Sequence, residues 1–250
     1  MVSLRKASLL AISSLSITLT TQPKFTDYLP FSLFKSKKIE INQGQQLLDA
    51  VRTNEPEEKI MALIEDGADI NYQDKNGATA LMVSTLSGNL ELTKTLLDKS
   101  ADPNLQGKIV GLSPIILAVH NNNDVPMAQL LLEKNANPNL KTYIGFTALM
   151  YAVLNGNTQM VDLLISKGAN VNDQEFIAGL TSLIIAIANK NTELTDILLA
   201  NGADVKIKDK SGQNAINYAK ETKAKEIIDL VVPEGYVEPQ EAETIDSTEQ

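Results

Sequence analysis

His120 is the single histidine of a 250-residue chain that contains no cysteine. Any nucleophilic triad would have to be built around that one ring. The lack of cysteine excludes disulfides, thiolate nucleophiles, Cys-ligated zinc and a lipid-anchored Cys. No glycine-rich phosphate loop follows a strand, and the acids are scattered without a calcium-loop spacing. Met82 and Met150 offer soft sulfur, but they occupy equivalent places in a recurring pattern and read as core. The residue types therefore predict no catalytic residue, no metal and no cofactor.

The chemistry left is recognition by apolar side chains. Three glycines are preceded by Ile109-Val110, Tyr143-Ile144 and Phe176-Ile177-Ala178, and followed by Leu112, Phe146 and Leu180. Nearer the ends of the pattern the matching residues are Lys75-Asn76 and Lys210-Ser211, followed by Ala78 and Gln213. His120 and Leu154 fall at the matching ends of first helices. A contiguous exposed apolar patch marks an interaction site, and aromatic anchors dominate interface energy. A second reading stays open. The stretches 105–110 and 173–178 are one residue longer than their neighbours, so Ile109, Tyr143 and Phe176 could instead pack on one another.

The elements that would position these residues follow from a repeat. Glycines stand at Gly44, Gly77, Gly111, Gly145, Gly179 and Gly212, each followed four residues later by an aliphatic: Leu48, Leu81, Ile115, Leu149, Leu183 and Ile216. Thr79, Ser113, Thr147 and Thr181 supply hydroxyls suited to capping a helix. A second marker, LIEDGADIN in its first copy and LISKGANVN in its fourth, closes each unit. In the unit at Gly145, the spacing predicts a first helix with Leu149, Ala152 and Val153 inward. Asn155-Gly156-Asn157 predicts a stop, and a second helix is expected over 158–166. Two helices this short cannot bury their apolar faces alone, so the units must stack.

These motifs resemble the ankyrin repeat family, through Gly-x-Thr-Ala-Leu, Gly-x-Ser-Pro at 111–114, the Leu-Leu pairs and Gly-Ala-Asp/Asn-Val-Asn. The resemblance covers about 44–232. It implies an all-α solenoid of about six helix-turn-helix units joined by finger-like β-turn or hairpin connections, at about 44–76, 77–110, 111–144, 145–178, 179–211 and 212–232. It also implies a non-catalytic module that binds a protein through its fingers and first-helix ends. One departure is the family's histidine after the turn Leu, replaced here by Met82, Ile116, Met150, Ile184 and Asn217. The inter-repeat polar tie is therefore expected to be missing, with apolar packing in its place. The turn over 121–124 has one extra residue and should bulge.

Outside the array, residues 1–43 carry six Lys/Arg and two acids, and 233–250 carry six acids and no base. Arg5 and Lys6 precede a mainly apolar run, Ala7 to Leu19, too short to span a bilayer but fitting an export signal over 1–22. Residues 23–43 form a linker or capping segment, and 233–250 an acidic tail expected to be disordered. With two arginines and a net charge of −9, the chain is ill suited to nucleic acid. A monomer is expected, periplasmic or secreted if 1–22 is a signal and otherwise cytoplasmic, with no stable membrane span in the mature chain. The alternative function is a small hydrolase or ligand carrier using an acidic concave surface around His120.

Overall fold

The structure, a computed structural model, describes residues 42–122 and 124–232. Those residues form 12 α-helices in six antiparallel pairs. The pairs are α1 (Gln43–Arg52) with α2 (Glu57–Glu65), α3 (Ala80–Leu86) with α4 (Leu90–Asp98), and α5 (Pro114–Leu117) with α6 (Val125–Glu133). They continue with α7 (Ala148–Leu154) and α8 (Thr158–Ser166), α9 (Ser182–Ala188) and α10 (Thr192–Ala200), then α11 (Ala215–Thr222) and α12 (Lys225–Val231). The expected second helix at 158–166 is α8.

Local chemistry fixes these boundaries. The Thr79, Thr147 and Thr181 hydroxyls accept from the amides of Met82, Met150 and Ile184, which opens α3, α7 and α9. The second helices are opened by Asn89, Asp124, Asn157 and Asn191, whose side chains accept from Leu92, Met127, Met160 and Leu194. Ser113 departs from the pattern. Its hydroxyl is buried without a partner, and Pro114 presets the first turn of α5 instead. Asn214 and Asn217 form a reciprocal capping box on α11.

The first helices of the inner pairs are nearly all buried: Ala148 to Val153 of α7 and Ser182 to Ile187 of α9 are inside on every turn, whereas α11 of the last pair buries only Ala215, Ile216 and Ala219. A seven-residue helix that buries all its faces needs neighbours on both sides, and the helix pairs before and after supply them. Second helices bury one stripe, such as Met160, Val161 and Leu164. The result is a single apolar seam from Leu47 to Val231.

Two features depart from a uniform repeat. The extra residue of the third pair is absorbed by a π turn over Ala118–Asn122. There the Asp124 amide reaches back to the Ala118 carbonyl, whereas the matching Asn157 amide reaches Ala152. The expected bulge thus lies within the helix end. Gly44 lies inside α1, not in a finger turn, and Asn42 caps that helix. Its small size serves a close approach: a Cβ there would come within 2.5 Å of the Tyr72 Cβ. The export signal expected over 1–22, most of the linker expected over 23–43 and the acidic tail expected over 233–250 lie outside the described residues. Among the described residues no helix is long and apolar enough to cross a membrane.

Candidate protein-binding surface

Between pairs the chain leaves the second helix, runs out as a finger and returns through a glycine. The fingers are tied edge to edge by side-chain ladders. Asn71, Asn104, Asn139 and Asn172 each accept from an amide one repeat further on: Asp102, Asn137, Asn170 and Asp204, at 2.7–2.8 Å. The Asn104, Asn139 and Asn172 side-chain amides donate to the Asn135, Gly168 and Gly202 carbonyls of the following repeat. Gln73, Gln106 and Gln174 form a second ladder, each donating to its own finger and to the next, at Gln106, Lys141 and Lys208. The expectation that the inter-repeat polar tie is missing is therefore corrected. Asn and Gln side chains of the fingers, which carry both donors and an acceptor, make polar ties between repeats, while Met82, Ile116, Met150 and Ile184 are buried in the seam.

At the finger tips the backbone continues the tie. The amides of Lys108, Tyr143, Phe176 and Lys210 donate to the carbonyls of Asn76, Val110, Ile144 and Ala178 in the preceding finger, at 2.8–2.9 Å. Each of these four residues thereby lies against the preceding glycine. Gly145 has φ +87°, and a Cβ on it would approach the Phe176 amide nitrogen to 2.6 Å and its ring to 2.8 Å. Gly111, at φ +78°, meets the Tyr143 ring in the same way. The recurrent glycine thus serves both a left-handed backbone and contact with the next finger.

This geometry sorts the predicted residues. Ile109 (70% exposed), Tyr143 (58%), Phe176 (54%) and Ile177 (54%) project into solvent. Tyr143 and Phe176 each rest one side on a glycine of the preceding finger and leave the rest open to solvent. Val110, Leu112, Ile144, Leu154 and His120 are half-buried, and Leu112, Ile144 and Leu154 pack against the seam. Phe146 (1%) and Leu180 (4%) are core residues, a correction to their reading as partner-facing. The reason is the finger neck. Phe146 exchanges backbone bonds with Thr142, its amide donating to the hydroxyl and its carbonyl accepting from the amide. The Leu180 amide donates to the Glu175 carboxylate and its carbonyl accepts from the Glu175 amide. That pairing turns their side chains inward.

The bases of the fingers show how each tip is held. Glu175 is buried and accepts from the amides of Ile177, Ala178 and Leu180 at 2.6–2.9 Å. In the first finger Asp74 accepts from Asn76 and Ala78 and pairs with Arg52 at 2.5 Å. Burial alone raises its pKa, but the Arg52 bond and the two amides outweigh that and hold it below the ordinary value. Asp209 is buried in the last finger and is held low in the same manner by Ser211, Tyr218 and the Gln213 amide.

His120 sits on the π turn with its ring 4.8 Å from that of Tyr151, which is 5.3 Å from Phe146. Burial lowers the His120 pKa and raises that of Tyr151. Among the described residues, no three His, Asp or Glu side chains gather to hold a metal.

Sequence reasoning placed Lys75 and Lys210 at finger tips but missed Lys108 and Lys141. Lys141 pairs with Asp173 at 2.8 Å and places its ammonium 5.6 Å from the Phe176 ring centroid, a cation–π contact. Lys210 donates to the Phe176 carbonyl. Lys108 and Lys210 hold the same place on the preceding finger as Tyr143 and Phe176. The signal was present, but only when fingers are aligned from their base and not from the glycine.

Helix pairs stacked through glycine-closed, laddered fingers define a helical repeat array, and the chain belongs to the ankyrin repeat family. The description "Ankyrin repeats (3 copies)" matches residues 33–107 and 101–175, and "Ankyrin repeats (many copies)" matches 177–219. Such domains are generally protein-binding modules and typically non-catalytic. The chain is 30% identical over 148 residues to an ankyrin repeat protein of Rickettsia bellii, covering 56% of this chain and 42% of that one. It is 32% identical over 133 residues to the mitochondrial disaggregase of Bos taurus, covering 50% and 18%. It is 37% identical over 102 residues to a B-cell lymphoma 3 protein homolog of Mus musculus, covering 41% and 22%. The chain spans less than half the length of each of these relatives.

Proposed function

We propose that the chain is a non-enzymatic recognition module that binds a protein partner on the tips of its middle fingers. Ile109, Tyr143, Phe176 and Ile177 are the anchors, and His120 and Leu154 flank them. One observation carries this reading. Four rungs share one backbone role, and the outer two hold Lys108 and Lys210 while the inner two hold Tyr143 and Phe176. The fold accepts lysine at that place, so it does not need the rings. Burying an exposed ring against a partner contributes about 1.5–3 kcal/mol before association costs.

The test is co-purification from the native host, identification of the captured protein, and titration of that purified protein against Tyr143→Asp and Ile177→Asp. Weakening by tenfold or more with an unchanged melting temperature supports the reading. Equal affinity for both variants contradicts it. If residues 1–22 act as an export signal, the working form is a periplasmic or secreted monomer, and otherwise a cytoplasmic one. Fractionation with N-terminal sequencing of the mature chain decides between them, and an intact Met1 in the cytoplasm would contradict export.

A further inference from the structure

The apolar tips keep a fixed pitch. Tyr143 and Phe176 hold one backbone place on neighbouring fingers, each donating its amide to the finger before. Ile109 and Ile177 share a second place, two residues before the glycine of the longer fingers, and stand two fingers apart. Each finger sets two chain segments side by side along the row. Thr142 and Phe146 are bonded across one neck, and Tyr143 reaches back to Val110 of the finger before. Segments hydrogen-bonded in this way lie about 4.7–4.9 Å apart, so fingers recur at about 9.5 Å. That agrees with first helices packed about 8–10 Å apart. The pitch puts Phe176 about 9.5 Å from Tyr143, and Ile177 about 19 Å from Ile109.

Charge limits what can cover these tips. Helices α3, α5, α7 and α9 hold no Lys, Arg, Asp or Glu, whereas α1 holds Asp49 and Arg52 and α11 holds Lys220 and Glu221. The side chains at or just past the ends of the four uncharged helices, Leu86, His120, Leu154 and Ala188, are exposed or half-buried. Beside Phe176 the charges are mixed in sign and engaged within the protein: Lys141 with Asp173, Glu175 with three amides, Lys210 with the Phe176 carbonyl. A charged side chain pressed against this surface would lose its water without gaining a counter-ion. The complementary segment is therefore uncharged where it touches, with apolar groups recurring at about 9.5 and 19 Å.

Backbone geometry decides which segment has that period. A β-strand returns to one face about every 6.6 Å, so a strand that meets Ile109 and Ile177 turns away between Tyr143 and Phe176. An α-helix presents every seventh residue at about 10.5 and 21 Å, and overshoots both spacings. A polyproline II segment presents every third residue at about 9.3 and 18.6 Å, and meets both. We propose that the partner presents a proline-rich polyproline II segment of at least about seven residues, uncharged and apolar at every third place, laid along the tips from Ile109 to Ile177. The proposal rests on the finger face being a recognition surface and names the class of segment it reads. The exposed rings of Tyr143 and Phe176 suit it, because proline-rich segments dock on aromatic surfaces with their shape largely set before binding.

The test pans three displayed peptide libraries on the full-length protein. One holds proline-rich segments of about ten residues with apolar residues at every third place. The second holds helix-forming segments of about eighteen residues with apolar residues at every seventh, and the third holds alternating apolar and polar segments of about ten. Only the first library is expected to enrich. Its resynthesised binders should weaken tenfold or more against Tyr143→Asp, and again when one residue is inserted between two apolar places, which breaks the period. Enrichment of the helical or the alternating library alone overturns the proposal. So do binders indifferent to Tyr143→Asp or to the insertion, and so does enrichment of none. None of these failures touches the recognition reading, which is decided by titrating the captured partner against Tyr143→Asp and Ile177→Asp.

Discussion

The outer and middle fingers solve one backbone problem with different residues. At the outer fingers an aspartate, Asp74 or Asp209, accepts two amides, and the tips are Lys75-Asn76 and Lys210-Ser211. In the middle, the bases are Gly107, Thr142 and Glu175, and the tips are apolar. Both kinds close through a left-handed glycine, and each finger after the first docks on the one before it. Folding therefore explains the glycines, bases and ladders. It does not explain Ile109, Tyr143, Phe176 and Ile177, and that remainder is where recognition is sought.

The comparison breaks most visibly within one finger. Phe146→Ala removes a fully buried ring and should cost about 3–5 kcal/mol in urea unfolding. Tyr143→Ala, three residues earlier, should cost far less. Gly145→Ala is the next largest, because an added Cβ meets the Phe176 backbone at a positive φ. About 1–3 kcal/mol is expected from strain of that kind, again read by urea unfolding. Glu175→Ala strands three amides and should cost about 1–3 kcal/mol, while Glu175→Gln, which keeps one acceptor oxygen, should cost less.

Acid sharpens the contrast between the finger types. Asp74 and Asp209 have folded pKa values below their unfolded value of 3.8. Below that value the unfolded chain binds more protons, so their contribution is complete above it and is lost as pH falls through the lower folded pKa. Melting curves from pH 5 downward should flatten in Asp74→Asn/Asp209→Asn. An unaltered slope would assign the acid sensitivity elsewhere. The smallest effects belong to Ile109→Ser and Ile177→Ser, each expected within about 0.5 kcal/mol of the parent in the same unfolding assay.

Much of the fold was legible because one unit must meet its own copy. That requirement repeats Gly, Thr and the Leu pairs in phase, and it places α8 at its expected bounds. The extra residue at 121–124 also announced its bulge. The ladders were harder to see. Asn71, Asn104, Asn139 and Asn172 stood out as markers of each unit, but their bonds run between units, and spacing within a unit does not display them. Phe146 and Leu180 were misplaced for a related reason. They adjoin exposed tips in sequence, while the pairing across the finger neck, four or five residues wide, turns them inward. Gly44 kept the period but changed its task, since the first pair has no described finger before it. The lysine rungs were hidden by counting from the glycine, because fingers of unequal length stay in register only at their bases.

The central claim is that the middle finger tips are dispensable for folding and required for recognition. Its most direct test is one variant, Ile109→Ser/Tyr143→Ser/Ile177→Ser, measured for melting temperature and for affinity to the captured partner. A melting temperature within about 4 °C of the parent is predicted for changes of this size in a chain of this length. Affinity should fall tenfold or more. A loss of stability as large as that of Phe146→Ala, or an affinity that does not move, would contradict it.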